Sequence, residues 1–261
     1  MLSNKLSTEE IQTLTKFRLT QKVHKASNPI RLERMLQRDG LVNVLALISE
    51  QMGAPSYKVA ASMLSKRMAF YAVIHLYTMS AFNKRLLVDR ENVLLTEQAP
   101  SNLWLPDFYL GNMKVEEERN DRRKWIDEII WHVFKETLTP IVERLSEQVT
   151  LPKRVMWENI HQYVSWIFHK MRNSSSRETI KNQLDRDFHY ILQTADGYLF
   201  GIDGGNPFAR LYGRMDVKKI VETRKTCCLA YLLKDNPPNR CKTCPIPVNR
   251  TRNKKRKEAG T

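Results

Sequence analysis

The sequence has few glycines, no long hydrophobic run and no cysteine in its first 226 residues. Only 9 of its 261 residues are glycine, a proportion that excludes collagen-like and linker-dominated chains. No apolar stretch approaches the roughly 20 residues that a membrane-spanning helix needs. The acidic pair Glu9 and Glu10 interrupts the N-terminus before the apolar core of a secretory signal could form. With 42% hydrophobic residues, the chain predicts a globular protein, and we expect it to reside in the cytoplasm.

Motifs of several common enzyme classes are absent as well. The sequence contains no Walker phosphate loop, no GxGxxG dinucleotide motif and no nucleophile elbow. His132, His161 and His169 fall in predicted helices, but no two of them stand four residues apart with a glutamate to make a zinc pair. We expect these three side chains to be ordinary core or surface histidines.

Positive charge is concentrated at the C-terminal end. The formal net charge is +15, and residues 218–261 hold 13 basic and 3 acidic side chains, so this end contributes +10 of it. Such a segment could bind nucleic acid, an anionic membrane face, an acidic protein or an anionic ligand. Charge alone does not choose among these classes.

The pattern of apolar residues predicts an α+β fold that is predominantly helical. Residues 1–80 read as a helical part, and residues 81–217 as a central α+β part with a small antiparallel sheet followed by helices. Residues 218–248, here called the cysteine segment, end the helical C-terminal part in a cysteine-rich loop. Residues 249–261 lack large apolar side chains and read as a disordered basic tail.

Local signals predict several helix boundaries. Ser7 and Glu10 have the spacing of a capping box. Pro29 suits the first position of a second helix, which Gly40 is expected to end. A long helix is predicted from residue 57 to about residue 79.

Two later segments are also predicted to be helical. Glu116, Glu117 and Glu118 look like the acidic first turn of a helix, where the helix dipole favours negative charge. Residues 207–225 place apolar side chains on one side of an amphipathic element that leads into the cysteine segment.

All the cysteines of the chain lie within 18 residues. Cys227 and Cys228 form an adjacent pair, twelve residues follow, and Cys241 and Cys244 then form a CxxC motif with Pro245 directly after it. In a chain without an export signal, this grouping favours metal binding or redox chemistry over a structural disulfide framework. Asn and Pro residues between the two pairs suit a turn that brings distant ligands together.

The spacing leaves three interpretations open. Four thiolates can hold zinc in a tetrahedral site or a [2Fe-2S] cluster. Neighbouring residues in an extended chain point in opposite directions, so the Cys227–Cys228 pair fits a wider two-iron centre better than one small tetrahedron. The third interpretation makes Cys227 and Cys228 small buried hydrophobic residues and leaves only the CxxC motif reactive.

At these residues the sequence resembles the FhuF-like ferric siderophore reductases, whose C-terminal signature is a CC pair, about ten residues and a CxxC motif. The resemblance is carried by residues that stand where this signature would put them, namely Arg224, Thr226, Cys227, Cys228, Leu229, Tyr231, Cys241, Cys244 and Pro245. The helix around Trp157, Glu158 and Asn159 agrees more loosely. The twelve-residue spacing departs from the signature and suggests a subgroup with a longer loop.

The resemblance implies a [2Fe-2S] cluster held by the four cysteines and a one-electron reductase of ferric siderophores. Hydroxamate and citrate-hydroxamate oxygens hold iron(III) far more tightly than iron(II), so one added electron releases the metal. The implied partners are the anionic ferric chelate and an electron donor such as ferredoxin, flavodoxin or a flavin reductase. Peripheral contact with the inner membrane is a further expectation, and no specific nucleic acid is expected. Basic side chains near the cysteines are the candidate substrate contacts, namely Arg210, Arg214, Arg224 and Arg240.

Two other functions remain alternatives on the sequence. A zinc knuckle with the basic tail as an arm would bind nucleic acid through nonspecific phosphate contacts. An iron-sulfur redox sensor would change a partner contact when its cluster is lost or a disulfide forms between Cys227 and Cys228. Metal content separates the first from a reductase, and electron transfer to a ferric chelate separates the second.

Overall fold

The computed structural model of the protein describes residues 5–24, 28–97, 103–118, 120–219, 221–233 and 241–246. Within these ranges the fold is α+β and mainly helical, as predicted. The α-helices are α1 (Thr8–Thr15), α2 (Arg38–Met52), α3 (Tyr57–Phe82), α4 (Arg122–Ile130), α5 (Thr139–Val149), α6 (Lys153–Ser174), α7 (Glu178–His189) and α8 (Ala209–Tyr212). A π-helix, Trp131–Leu138, joins α4 to α5, and a second one, Tyr190–Thr194, extends α7. Short 3-10 helices span Leu32–Leu36, Arg90–Asn92, Gly197–Phe200 and Ala230–Leu232.

Two small sheets complete the fold. Their strands are β1 (Leu19–Thr20), β2 (Ile30–Arg31), β3 (Lys84–Leu87), β4 (Val93–Thr96), β5 (Asp107–Leu110) and β6 (Lys114–Glu117). One sheet has the order β1-β5-β4-β2, and β3 pairs with β6 in the other. β1 runs parallel to β5 while the other pairs are antiparallel, so the larger sheet is mixed rather than wholly antiparallel. It also recruits strands from the first 80 residues, which were predicted to be helical only.

The first helix boundary is confirmed, and the second is wrong. Ser7 caps α1, and its capping box with Glu10 is complete. Pro29 starts no α-helix, because the chain after it is extended in β2 and then turns through a 3-10 helix. Gly40 lies inside α2, where a Cβ atom would stand 2.3 Å from the carbonyl oxygen of Arg34. This glycine therefore permits a close approach of two chain segments and ends no helix.

The acidic run at residues 116–118 is not a helix start. Glu116 and Glu117 belong to β6 and stand opposite Arg85 and Lys84 of β3. The guanidinium of Arg85 forms an ion pair with Glu116 at 3.1 Å. Opposite charges across an antiparallel pair stabilise the pairing, so these carboxylates serve a sheet where the sequence suggested a helix dipole.

The amphipathic element predicted for residues 207–225 is mostly irregular. Among the described residues of this range only α8 is helical, and it stops at Gly213, whose φ of 63° and ψ of −136° do not continue a helix. Phe208 and Leu211 are nevertheless buried in the core. The apolar spacing therefore indicated burial correctly and secondary structure wrongly.

Helix α3 lies at the centre of the hydrophobic core and packs along α6. The core cluster runs from Leu6 to Cys228, so it takes side chains from both sides of the boundaries at residues 80 and 217. Division at those boundaries stays a prediction, and the tail at residues 249–261 lies outside the described residues. In the part of the chain that the structure describes, no helix has the length and apolar character that crossing a membrane requires.

Candidate functional site

Backbone hydrogen bonds bring the two cysteine pairs together. The N–H of Arg224, three residues before Cys227, donates to the carbonyl oxygen of Thr243 at 2.8 Å. The N–H of Cys244 donates to the carbonyl oxygen of Cys241 at 2.9 Å and closes the turn of the CxxC motif. The chain that connects the pairs, residues 234–240, lies outside the described residues.

The four thiols lie close enough to influence one another. Burial raises the pKa of Cys227, and the neighbouring thiols of Cys228 and Cys244 raise it further. The pKa of Cys241 is raised by burial and then by Cys228 and Cys244. Among the described residues, no three His, Cys, Asp or Glu side chains are arranged to hold a metal ion. The structure thus gathers the predicted thiols without forming a closed single-ion site.

The four thiols differ in exposure. Cys228 is buried at 3% exposure, Cys227 and Cys244 are half-buried, and Cys241 is exposed. The group therefore has an inner side against the protein and an outer edge toward solvent.

A buried glutamate holds the chain just before the CC pair. Glu158 of α6 accepts hydrogen bonds from the backbone N–H groups of Lys225 and Thr226, both at 2.7 Å. It also accepts from the hydroxyl groups of Thr226 and Tyr212. Burial alone would raise the pKa of Glu158, but these donors and the charge of Arg224 hold it below its ordinary value. The carboxylate therefore stays ionised and acts as the anchor of the cysteine segment.

Arg224 connects that anchor to the next residue of α6. Its guanidinium lies 3.6 Å from the carboxylate of Glu158 and donates to the side-chain oxygen of Asn159 at 2.7 Å. The residue is 4% exposed. Contact with an external ligand would require this guanidinium to leave both partners, so the geometry favours a structural role for Arg224 over the predicted substrate contact.

Asn159 carries the network across to α3. Its amide nitrogen donates to the carbonyl oxygen of Ser62 at 3.0 Å and to the hydroxyl of Ser65 at 2.9 Å. The hydroxyl of Ser62 donates in turn to the carbonyl oxygen of Cys228 at 2.7 Å. We call α3 and α6 together the helical frame, because side chains from both helices fix the backbone on either side of the CC pair.

The frame also places a positive charge beside the thiols. Burial alone would raise the pKa of Cys228, but the ammonium group of Lys66 on α3, the backbone N–H of Ala230 and the charge of Arg224 together outweigh it, and the pKa is lowered. The same ammonium group acts on Cys241 in the same direction. Burial and the neighbouring thiols have the stronger effect there, so the pKa of Cys241 is raised.

The other predicted substrate contacts are exposed or lie outside the described residues. Arg210 and Arg214 are exposed, and Arg240 is not among the described residues. Arg210 lines an open cavity of about 650 Å³ together with Arg154 and Trp157. Arg154 and Trp157 belong to α6, so this cavity borders the helical frame.

Three of the six histidines were predicted to be ordinary core or surface side chains, and each of them contacts another residue of the protein. His161 is buried against the sulfur of Met215 at 3.2 Å. His169 lies 3.1 Å from the carbonyl oxygen of Val217, and His132 lies 3.1 Å from Glu136.

Sequence reasoning missed the side chains that organise the site. Glu158 and Asn159 entered only through a resemblance, and Ser62 and Lys66 were not considered. One signal was available, because Glu158 and Asn159 interrupt the apolar run of α6 between Trp157 and Ile160, and buried polar groups require partners. Nothing local in the sequence connects α3 with residues more than 160 positions away.

Comparison with protein families gives one match. A family model described as "Ferric iron reductase FhuF-like transporter" matches residues 62–214, which are more than half of the chain. The match ends before Cys227. It includes the residues that hold the cysteine segment, which are Ser62, Ser65, Lys66, Glu158, Asn159 and Tyr212. A search of curated proteins found no match.

Proposed function

Because this chain belongs to the FhuF-like ferric iron reductase family, we propose that it reduces iron(III) in a hydroxamate or citrate-hydroxamate chelate by one electron. Oxygen donors of this kind bind iron(III) much more strongly than iron(II). The transferred electron therefore converts a tightly held ion to a loosely held one, and iron(II) is released in the cytoplasm.

We further propose that Cys227, Cys228, Cys241 and Cys244 hold a [2Fe-2S] cluster. The donor set fits, because four thiolates are the usual ligands of such a cluster and the thiols lie near one another. When bound there, the cluster supplies one electron at a time.

One observation carries the proposal. The part of the chain that matches the reductase family contains the side chains that grip the cysteine segment, although the match itself stops before the cysteines. Glu158 binds the two backbone N–H groups that precede Cys227, and Ser62 binds the carbonyl group of Cys228. The matched helical frame and the unmatched cysteine segment therefore form one site.

Exposure of the outer thiol suits electron transfer to a bulky substrate. Cys241 faces solvent while Cys228 lies against the frame, so an electron can leave through the exposed edge without the chelate entering the core. The cavity beside Trp157 is lined by the exposed Arg154 and Arg210 and by Lys153, Glu143 and Asp203. Because Lys153 pairs with Glu143, the two arginines outnumber the one remaining carboxylate, and we assign the anionic chelate to them. Ferredoxin, flavodoxin or a flavin reductase would supply the electron.

Single-turnover reduction tests this function. Anaerobic protein reduced with dithionite and freed of excess reductant is mixed with a ferric trihydroxamate, and iron(II) is trapped by a coloured chelator. We expect about one iron(II) per reduced protein, and none from a Cys241→Ser variant treated in the same way. A reduced wild-type protein that passes no electron to the chelate would contradict the proposal and favour a redox sensor. Protein that contains stoichiometric zinc would favour the zinc-knuckle alternative.

A further inference from the structure

Two side chains on one face of α3, Ser62 and Lys66, act on the cysteine segment. The hydroxyl of Ser62 donates to the carbonyl oxygen of Cys228 at 2.7 Å. Lys66 follows four residues later in the same helix, so both side chains lie on the same face. The positive charge of Lys66 acts to lower the pKa of the Cys228 thiol and, more weakly than burial, that of Cys241. One helical turn thus positions the backbone of Cys228 and carries a cation on the face of α3 that meets it.

Two cations act on the thiol of Cys228, and they differ in how far their charge is neutralised. Arg224 is buried beside the carboxylate of Glu158, at 3.6 Å, so its charge is largely compensated. No carboxylate of the described chain forms an ion pair with Lys66. Lys66 is also half-buried, where a charge is screened less by solvent than at the surface. Its positive charge acts on the thiols of Cys228 and Cys241.

We infer that Lys66 sets the electron affinity of the centre on the four cysteines by holding a positive charge against Cys228. The inference rests on the proposed [2Fe-2S] cluster. Reduction adds one negative charge to such a centre, and net charge and hydrogen bonds at its sulfurs govern the reduction potential. Lys66 favours the reduced state and raises the potential, so it is a positioning residue that acts through Cys228 without touching the substrate.

A redox titration of the purified full-length protein tests this inference. The measured quantity is the midpoint potential, followed by the electron paramagnetic resonance signal of the reduced protein. Lys66→Met keeps the length of the side chain and removes its charge. We expect the equilibrium constant for reduction to fall about tenfold, which is about 59 mV for a one-electron couple. Lys66→Arg keeps the charge and should stay within a third of that shift.

Two further variants separate charge from other effects. Lys58→Met removes the same charge from an exposed position of the same helix, and we expect no change in potential. Lys66→Gln keeps a hydrogen-bond donor without charge, and we expect it to follow Lys66→Met. A Lys66→Gln potential equal to that of the wild type would overturn the inference, because a hydrogen bond would then suffice.

The remaining outcomes distinguish this inference from the proposed function. A wild-type protein with a one-electron couple and an unshifted Lys66→Met variant would overturn the role of Lys66 alone. A wild-type protein without any such couple would overturn the cluster and the inference together. If neither neutral variant incorporates iron, Lys66 is needed for assembly and its assignment to the potential is wrong.

Discussion

The helical frame and the cysteine segment are built on opposite principles. The frame consists of two long helices. Its buried side chains Glu158 and Ser62 bind the backbone of the cysteine segment. The cysteine segment contains only one short 3-10 helix, Ala230–Leu232, within its described residues. Its backbone is held by Glu158 and Ser62 of the frame, besides one hydrogen bond inside the segment from the N–H of Arg224 to the carbonyl oxygen of Thr243. The shape of the segment thus depends on hydrogen bonds from elsewhere, and changes in the frame should be felt at the thiols.

The largest expected effect comes from the cysteine segment itself. Replacing any one of Cys227, Cys228, Cys241 or Cys244 by serine removes a ligand of the proposed cluster. We expect each variant to lose or strongly alter the electron paramagnetic resonance signal of the reduced protein. An unchanged spectrum for Cys227→Ser would remove the CC pair from the ligand set and leave the frame holding a pair without redox function.

The next largest effect tests whether the frame holds the segment. Glu158→Gln leaves the guanidinium of Arg224 buried without its carboxylate, a change that costs about 3 kcal/mol in comparable buried pairs. We expect urea unfolding to show a loss of this size and the iron content to fall with it. Glu147→Gln on α5 is the control, because Glu147 is 64% exposed. Equal stability and iron content in both variants would show that the anchor is dispensable.

A pH experiment examines the frame alone. Burial lowers the pKa of His161 on α6 to about 4 from an ordinary 6.5, so between these values the unfolded chain binds a proton that the folded chain does not. The free energy of unfolding should therefore fall as pH decreases from 6.5 toward 5, by up to about 1.4 kcal/mol per pH unit. His161→Gln should flatten this slope in urea titrations at several pH values. Part of the pH dependence that remains in this variant is due to His75, because burial also lowers the pKa of His75. An unaltered slope would contradict the assignment.

The smallest expected effect concerns the cavity beside the frame. Arg210→Gln removes an exposed positive charge from the assigned chelate surface, so we expect KM for a ferric trihydroxamate to rise about threefold. Stability and kcat should stay as in the wild type, since surface substitutions rarely change stability by more than about 0.5 kcal/mol. Arg38→Gln on α2 provides an exposed arginine outside the cavity. Equal KM values in the two variants would move the substrate away from this cavity.

The sequence predicted those parts of the molecule that local patterns control. The capping box at Ser7 and the mainly helical class followed from short-range rules. The prediction of a helix at Glu116 and Glu117 was wrong, because pairing with β3 determines the conformation of this segment. The prediction of an amphipathic helix over residues 207–225 was wrong for a similar reason, because regularly spaced apolar residues indicate burial whether or not the chain is helical.

The candidate site divides in the same way. Clustering of the four cysteines is visible in the sequence, whereas the partners of the segment are set by tertiary packing. The contact from Ser62 to Cys228 spans 166 positions, and that from Asn159 to Arg224 spans 65. No local pattern encodes such contacts. Arg224 is an example. Its place in the sequence suggested a substrate contact, whereas its burial beside Glu158 indicates an internal ion pair.

The central claim is that the helical frame presents four thiols as ligands of one two-iron centre. Its most direct test is metal analysis of anaerobically purified protein, combined with electron paramagnetic resonance after reduction by dithionite. We predict about two irons and two acid-labile sulfides per chain and a signal from the reduced state. Protein that carries zinc or no metal and stays silent after reduction would contradict the account.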